Sequence, residues 1–182
     1  MNAYSSAGDR LGYLVIGHGM VVLLIGLVAG LMLVFSLLDA VTLWPLPAWE
    51  VSVPGSARGW QAAHVGGILN GVMMGGVALL MARLPLTEKE NRWVGWGMIV
   101  MGWGNTVFYW AGNLAANRGL SVAATPFGEG DLAGALAFLG GGVAMVFTFI
   151  AVVMLARSAF AASRGGVATD ASGAIGEADA AG

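Results

Sequence analysis

Two polar clusters inside apolar stretches carry the chemistry that this chain advertises. The first is His64-Val-Gly-Gly-Ile-Leu-Asn70, an imidazole and a carboxamide in a segment otherwise made of small and aliphatic residues. The second is Asn105, Tyr109 and Asn113, spaced i, i+4 and i+8 in the next apolar segment, with Met101 heading the same stripe. Polar groups at bilayer depth find no water, so they are costly unless they face a partner, a cavity or a cofactor. Imidazole is the usual protein ligand of b-type haem iron, which makes His64 a candidate axial ligand. A hydrogen bond from His64 to a carbonyl of a neighbouring helix is the alternative. Asn70 falls about 120° around the helix from His64, on an adjacent face that can border the same cavity. Tyr109 brings a phenolic donor that can hold an oxygen atom without carrying charge. His18, flanked by Gly17 and Gly19, is open between a second haem ligand, a propionate or backbone partner, and a structural hydrogen bond. The last two are favoured.

The elements that must position these groups follow from composition. Of 182 residues, 58% are hydrophobic and 10% charged, whereas a soluble domain has about a quarter charged. Four segments are long enough to span a core of about 30 Å: Leu11–Leu38, Ala62–Leu84, Arg92–Ala115 and Asp131–Arg157. The expected fold is an all-α integral membrane protein, a four-transmembrane-helix bundle within residues 1–157. The first segment far exceeds the roughly 7–15 apolar residues of a signal peptide, so a retained helix is expected. The link from Asp39 to Trp60 holds Pro45, Pro47 and Pro54 with Trp44, Trp49 and Trp60. It reads as an ordered loop at the headgroup level. Pro85–Asn91 is short and charged, which makes the second and third helices an antiparallel hairpin. Residues 158–182, rich in Ala, Gly and Ser, read as a disordered tail.

Arg10, Arg83, Lys89, Arg92, Arg157 and Arg164 lie on the side of both termini, and Arg58 and Arg118 on the other. That bias places both termini in the cytoplasm. A net charge of -2 with scattered Lys and Arg gives no support to nucleic-acid binding. Absence of cysteine excludes disulfides, thiolate metal sites and covalent c-type haem. Small residues repeat every four positions at Ala63, Gly67, Gly71 and Gly75, and again at Gly26 and Gly30. Such stripes let membrane helices approach closely, and part of one could make room for a flat ligand beside His64. Trp96, Trp103 and Trp110 form a stripe expected on the far side of the third helix, toward lipid or a subunit.

Several blocks in one order carry a resemblance. They are Pro54-Gly-Ser-Ala-Arg-Gly-Trp60, Ala63-His64-Val-Gly-Gly-Ile-Leu-Asn70-Gly71, Gly102-Trp-Gly-Asn105-Thr-Val-Phe-Tyr109, and Gly112-Asn113 through Asn117-Arg118-Gly-Leu-Ser121. With Gly17-His18-Gly19 they span most of the ordered chain, and they resemble the signature stretches of bacterial styrene oxide isomerases. That resemblance implies a four-helix enzyme of the bacterial inner membrane, assembled as a homotrimer with non-covalent haem b at the subunit interface. It implies His64 as the axial ligand of the iron, with Asn70 and Tyr109 holding the epoxide oxygen. Asn105, Asn113, His18 and Met101 would surround them, and Arg118 is the candidate partner for a haem propionate. One departure stands out: the family pattern has an acid where this chain has Met101.

The implied reaction is a Meinwald rearrangement of an aryl epoxide to an aryl acetaldehyde, with ferric haem as Lewis acid and a 1,2-hydride shift. Hydrolysis would need a carboxylate nucleophile, and no helix interior here carries one. The main rival is a b-type cytochrome or quinone-linked membrane subunit with His18 and His64 as paired axial ligands. A haem-free transporter is the second rival, disfavoured by helix interiors without Asp, Glu, Lys or Arg.

Overall fold

The computed structural model describes the backbone of residues 7–180 and the side chains of residues 10–164. Four helices run through the described residues: α1 (Ala7–Leu38), α2 (Ala57–Met81), α3 (Glu88–Leu114) and α4 (Leu132–Ala180). Between α1 and α2 lies a minimal antiparallel ribbon, β1 (Ala40–Val41) with β2 (Trp49–Glu50), in the register Ala40 to Glu50 and Val41 to Trp49. The segment expected to be an ordered loop is therefore ordered by a ladder.

The helix boundaries differ from the apolar boundaries because caps lie in polar sequence. α2 begins five residues before Ala62, where the Ser56 side chain accepts from Gly59 N. A serine there satisfies one of the free N–H groups of the first turn. α3 begins four residues before Arg92, at a capping box in which Thr87 and Glu90 bond each other's backbone. Asp131 caps α4, its Oδ1 accepting from Gly134 N at 2.6 Å. α4 also continues past Arg157, and Ser163 Oγ bonds back to Phe160 O at 2.9 Å. The backbone helix runs on to Ala180, through residues expected to form a disordered tail, and side chains beyond residue 164 lie outside the described residues.

Arg10–Leu38, Ala57–Met81 and Leu132–Arg164 are long and apolar enough to cross a membrane. α3 matches them in length, about 40 Å for 27 residues. It is less apolar, because it carries Glu88, Lys89, Glu90 and Arg92 at its start and the polar stripe further on. α1 packs on α2 and α3 on α4, while α3 also touches α1 and α2. The first contact is made by the small-residue stripe. A Cβ on Gly67 would stand 2.6 Å from the Gly26 Cα, so these two backbones meet without side chains between them. Ala137, Ala144 and Ala151, spaced by seven, are buried along α4, where a Cβ on Gly104 would reach Gly140 O at 2.7 Å. Close packing of small residues is the main source of helix association where no water can be expelled.

Two cores result. One joins Leu11, Val15 and Val22 of α1 to Met74, Met81, Val94, Met98 and Met101, with Ala144, Ala151 and Leu155 of α4. The other joins Ala29, Trp60 and Ala63, with Tyr109 and Trp110 against it. Asn70 and Asn105 lie between the two.

Candidate functional site

His64 stands two turns into α2 and is turned toward α1. Its Nδ1 lies 2.9 Å from the Gly26 carbonyl oxygen. A carbonyl can only accept, so Nδ1 carries the proton and the neutral ring presents the lone pair of Nε2. Gly30 makes this placement feasible. A Cβ there would come within 2.6 Å of His64 Nδ1 and 2.7 Å of Cε1. The ring is therefore cradled against bare backbone, oriented by a carbonyl, with one nitrogen free. This is the usual second-sphere arrangement of a metal-binding imidazole.

Asn70 is turned to α3. It is 6% exposed, and its Oδ1 accepts from Asn105 Nδ2 at 3.3 Å. Its Nδ2 is buried with no partner. An unpaired buried donor costs about 1–3 kcal/mol, so this amide is equipped for an acceptor that the polypeptide does not supply. Asn105 Nδ2 also lies 3.4 Å from the sulfur of Met101, which is fully buried. Tyr109, one turn past Asn105, lays its ring against the bare backbone of Gly66, where any Cβ would run into it. It also lines a cavity of about 620 Å³ with Arg58, Asn113, Arg118 and Phe127. Asn70, Asn105 and Tyr109 thus share the seam between α2 and α3.

The remaining stripe residue has a different partner. Asn113 Oδ1 accepts from Ser56 N at 2.9 Å and Ser56 Oγ at 3.1 Å, tying the start of α2 to the end of α3. It is not brought to Asn70. Arg118, at a left-handed φ of 60°, places its guanidinium 4.3 Å from the centre of the Phe127 ring in the cavity wall. That cation–π contact holds the charge at the cavity wall.

His18 takes the place of a structural acceptor. Its Nδ1 receives Trp103 Nε1 at 3.2 Å, which leaves the hydrogen of the neutral ring on Nε2. It sits eight residues before Gly26, about 12 Å along α1 from the carbonyl that anchors His64. The two imidazoles of one chain therefore do not face each other. The tryptophan stripe also makes contacts within the chain. Trp103 reaches α1, and Trp110 stacks edge-on with Trp60 at 5.0 Å. Trp60, expected at the headgroup level, is 5% exposed and donates to Pro54 O. Trp96 and Trp103 remain exposed.

Sequence reasoning left the roles of three residues unassigned. Gly30 and Gly66 make room for the His64 and Tyr109 rings; nothing in a glycine names which ring it faces. Asn117 is fully buried and bonds Ser121 O, Ala123 O and Gly119 N, fixing the loop that carries Arg118. Its position in Asn117-Arg118-Gly119 was the available signal. Among the described residues no three His, Cys, Asp or Glu side chains converge on one point.

Comparison with known proteins identifies the family. Residues 11–160 match the family model described as styrene oxide isomerase. The chain is 35% identical over 140 residues to a styrene-oxide isomerase of Pseudomonas fluorescens, covering 77% of this chain and 81% of that protein.

Proposed function

The chain belongs to the styrene oxide isomerase family, and from that premise we propose that it converts styrene oxide and related aryl epoxides to aryl acetaldehydes. It is an isomerase of epoxides; the Meinwald course, the haem and the assembly are the finer parts of the reading. The observation that carries it is the orphaned Asn70 Nδ2, a buried donor on the same seam as the Tyr109 hydroxyl. Both groups would donate to the epoxide oxygen. Their hydrogen bonds strengthen as negative charge builds there while the benzylic C–O bond lengthens, which is where fixed donors accelerate a reaction most.

His64 fits haem b. Its Nδ1–H is held by Gly26, its Nε2 is free, and Gly30 leaves bare backbone against the ring. His64 would be the axial ligand and Arg118, poised over Phe127, the partner for a propionate. When bound, ferric haem supplies a Lewis acid for the epoxide oxygen. The residues around the seam do the rest. Ala63, Met74, Met101 and Trp60 exclude water, which would otherwise trap the developing benzylic cation as a diol. Without a carboxylate nucleophile in the helix interiors, the favoured outcome is a 1,2-hydride shift within the substrate, consuming no cosubstrate.

We place the protein in the bacterial inner membrane with both termini cytoplasmic, supported by six Lys and Arg against two across the four helices. In that arrangement α3 spans with the others, its polar stripe covered by α2. The assembly we propose is a homotrimer with haem at the subunit interface. The half-buried His64 ring, which looks away from the Asn70–Tyr109 seam, supports a site completed across a subunit boundary. The separation of His18 from His64 weighs against a paired-histidine cytochrome. The test is to give the purified protein styrene oxide with no added cosubstrate. Phenylacetaldehyde is expected; a diol, or no turnover by haem-replete protein, would overturn the reading.

A further inference from the structure

Two carboxamides facing each other have two self-consistent orientations. In one, Asn105 donates to Asn70; in the other, both amides are flipped and Asn70 donates to Asn105. The difference matters, because the second consumes one of the Asn70 N–H groups that the proposed function assigns to the epoxide oxygen. Neither residue alone breaks the tie. Met101 does. Its sulfur lies 3.4 Å from Asn105 Nδ2, one helical turn before it on α3. A thioether accepts weakly and never donates. Flipping Asn105 would set its carbonyl oxygen against the sulfur lone pairs, acceptor on acceptor. The sulfur is also held in place: Met101 is fully buried, packed in the core with Val22, Met74 and Met98.

We infer that Met101 and Asn105 form a positioning relay that holds Asn70 with its Nδ2 hydrogens free toward the reacting oxygen. The chain of contacts runs from Met101 Sδ to Asn105 Nδ2 at 3.4 Å, and from Asn105 Nδ2 to Asn70 Oδ1 at 3.3 Å. It ends at the buried Asn70 Nδ2 that has no partner. Met101 and Asn105 touch no substrate, so they are positioning residues, and of the three only Asn70 is catalytic. Position 101 therefore requires an acceptor that cannot donate, more than it requires a particular shape. This inference rests on the assignment of Asn70 to the epoxide oxygen.

The test is a double-mutant cycle on the haem-replete enzyme. Met101→Leu keeps an apolar side chain of similar volume and removes the acceptor. In the otherwise unchanged protein it is expected to lower kcat about fivefold, the worth of one net hydrogen bond. It should also weaken, by a similar factor, the binding of an unreactive aryl oxetane, whose ring oxygen needs the same donor. In an Asn70→Ala background Met101→Leu should change neither quantity, because nothing is left to orient. Equal effects in both backgrounds would reduce Met101 to packing and overturn the relay. Asn105→Ala, carried through the same cycle, decides the matter if Met101→Leu does not fold. A full rate in Asn70→Ala alone would instead remove Asn70 from the reaction, and the proposed site would fail at that step before the relay is asked about.

Discussion

Gly30→Ala is the sharpest perturbation of the His64 cradle. The added methyl would lie 2.6 Å from Nδ1 and 2.7 Å from Cε1 of the ring, well inside the contact distance of about 3.5 Å. The ring has to leave the Gly26 carbonyl, or α1 has to move off α2. Losing the 2.9 Å bond to Gly26 removes about 1 kcal/mol, and overpacking adds about 1 kcal/mol or more. If that strain falls on the ligand, haem affinity drops by about 2 kcal/mol, or about 30-fold. The sign runs against local propensity, since alanine is the better helix former by about 1 kcal/mol. Gly12→Ala on the same helix is the control, because a Cβ there meets nothing within 4 Å. The assay is titration of haem-free protein with haem, followed by the Soret absorbance, for both variants. Gly12→Ala should bind as the parent does. A Gly30→Ala protein that binds haem as tightly as Gly12→Ala would refute the reasoning, and with it the role given to His64.

Tyr109→Phe should keep the ring against Gly66 and keep haem content, yet slow isomerisation about 10-fold or more by removing one donor to the oxygen; steady-state rates at matched haem loading check it, and an unchanged rate shows the hydroxyl is dispensable. Asp131 gives the pH dependence. The Gly134 N–H and then the Ala116 N–H hold its carboxyl below the usual value of 3.8. The unfolded chain therefore binds its proton first, so the stabilisation is present above about pH 3.8 and is lost as pH falls through the lower folded value. Thermal unfolding across that range should lose part of its acid limb in Asp131→Asn, and an identical limb in both proteins would contradict the cap's titration.

The sequence made the helices and the polar groups legible but not their partners. α1 and α4 announce themselves because apolarity is a local property. The start of α2 lay hidden in Ser56-Ala-Arg-Gly59, and that of α3 in Thr87-Glu-Lys-Glu90, since capping residues are polar and look like loop. The stripe Asn105, Tyr109, Asn113 was correctly read as one helix face, yet the face is shared among three tasks. Asn105 meets Asn70, Tyr109 meets Gly66, and Asn113 meets Ser56. Spacing fixes which residues point the same way; only the packing of α2 on α3 decides what each encounters. The indole stripe is divided for the same reason: Trp96 and Trp103 stay exposed, while Trp103 and Trp110 also meet His18 on α1 and Trp60 on α2, partners that no periodicity predicts.

The partner of His64 Nδ1 is a peptide carbonyl, and that choice has an electronic consequence. A carboxylate in the same place would pull on the ring proton and lend the imidazole anionic character. An amide carbonyl has no such appetite, and it does not titrate in any range a cell meets. The ring is left a middling electron donor. Iron held by it would be left comparatively electron-poor, which would suit a centre that draws on an oxygen lone pair and hands no electrons over. Because every residue owns a carbonyl, no side chain at position 26 advertises this setting. Selection would act on it through the emptiness of Gly26, Gly30 and Gly67, where a methyl group would push the ring or its helix away.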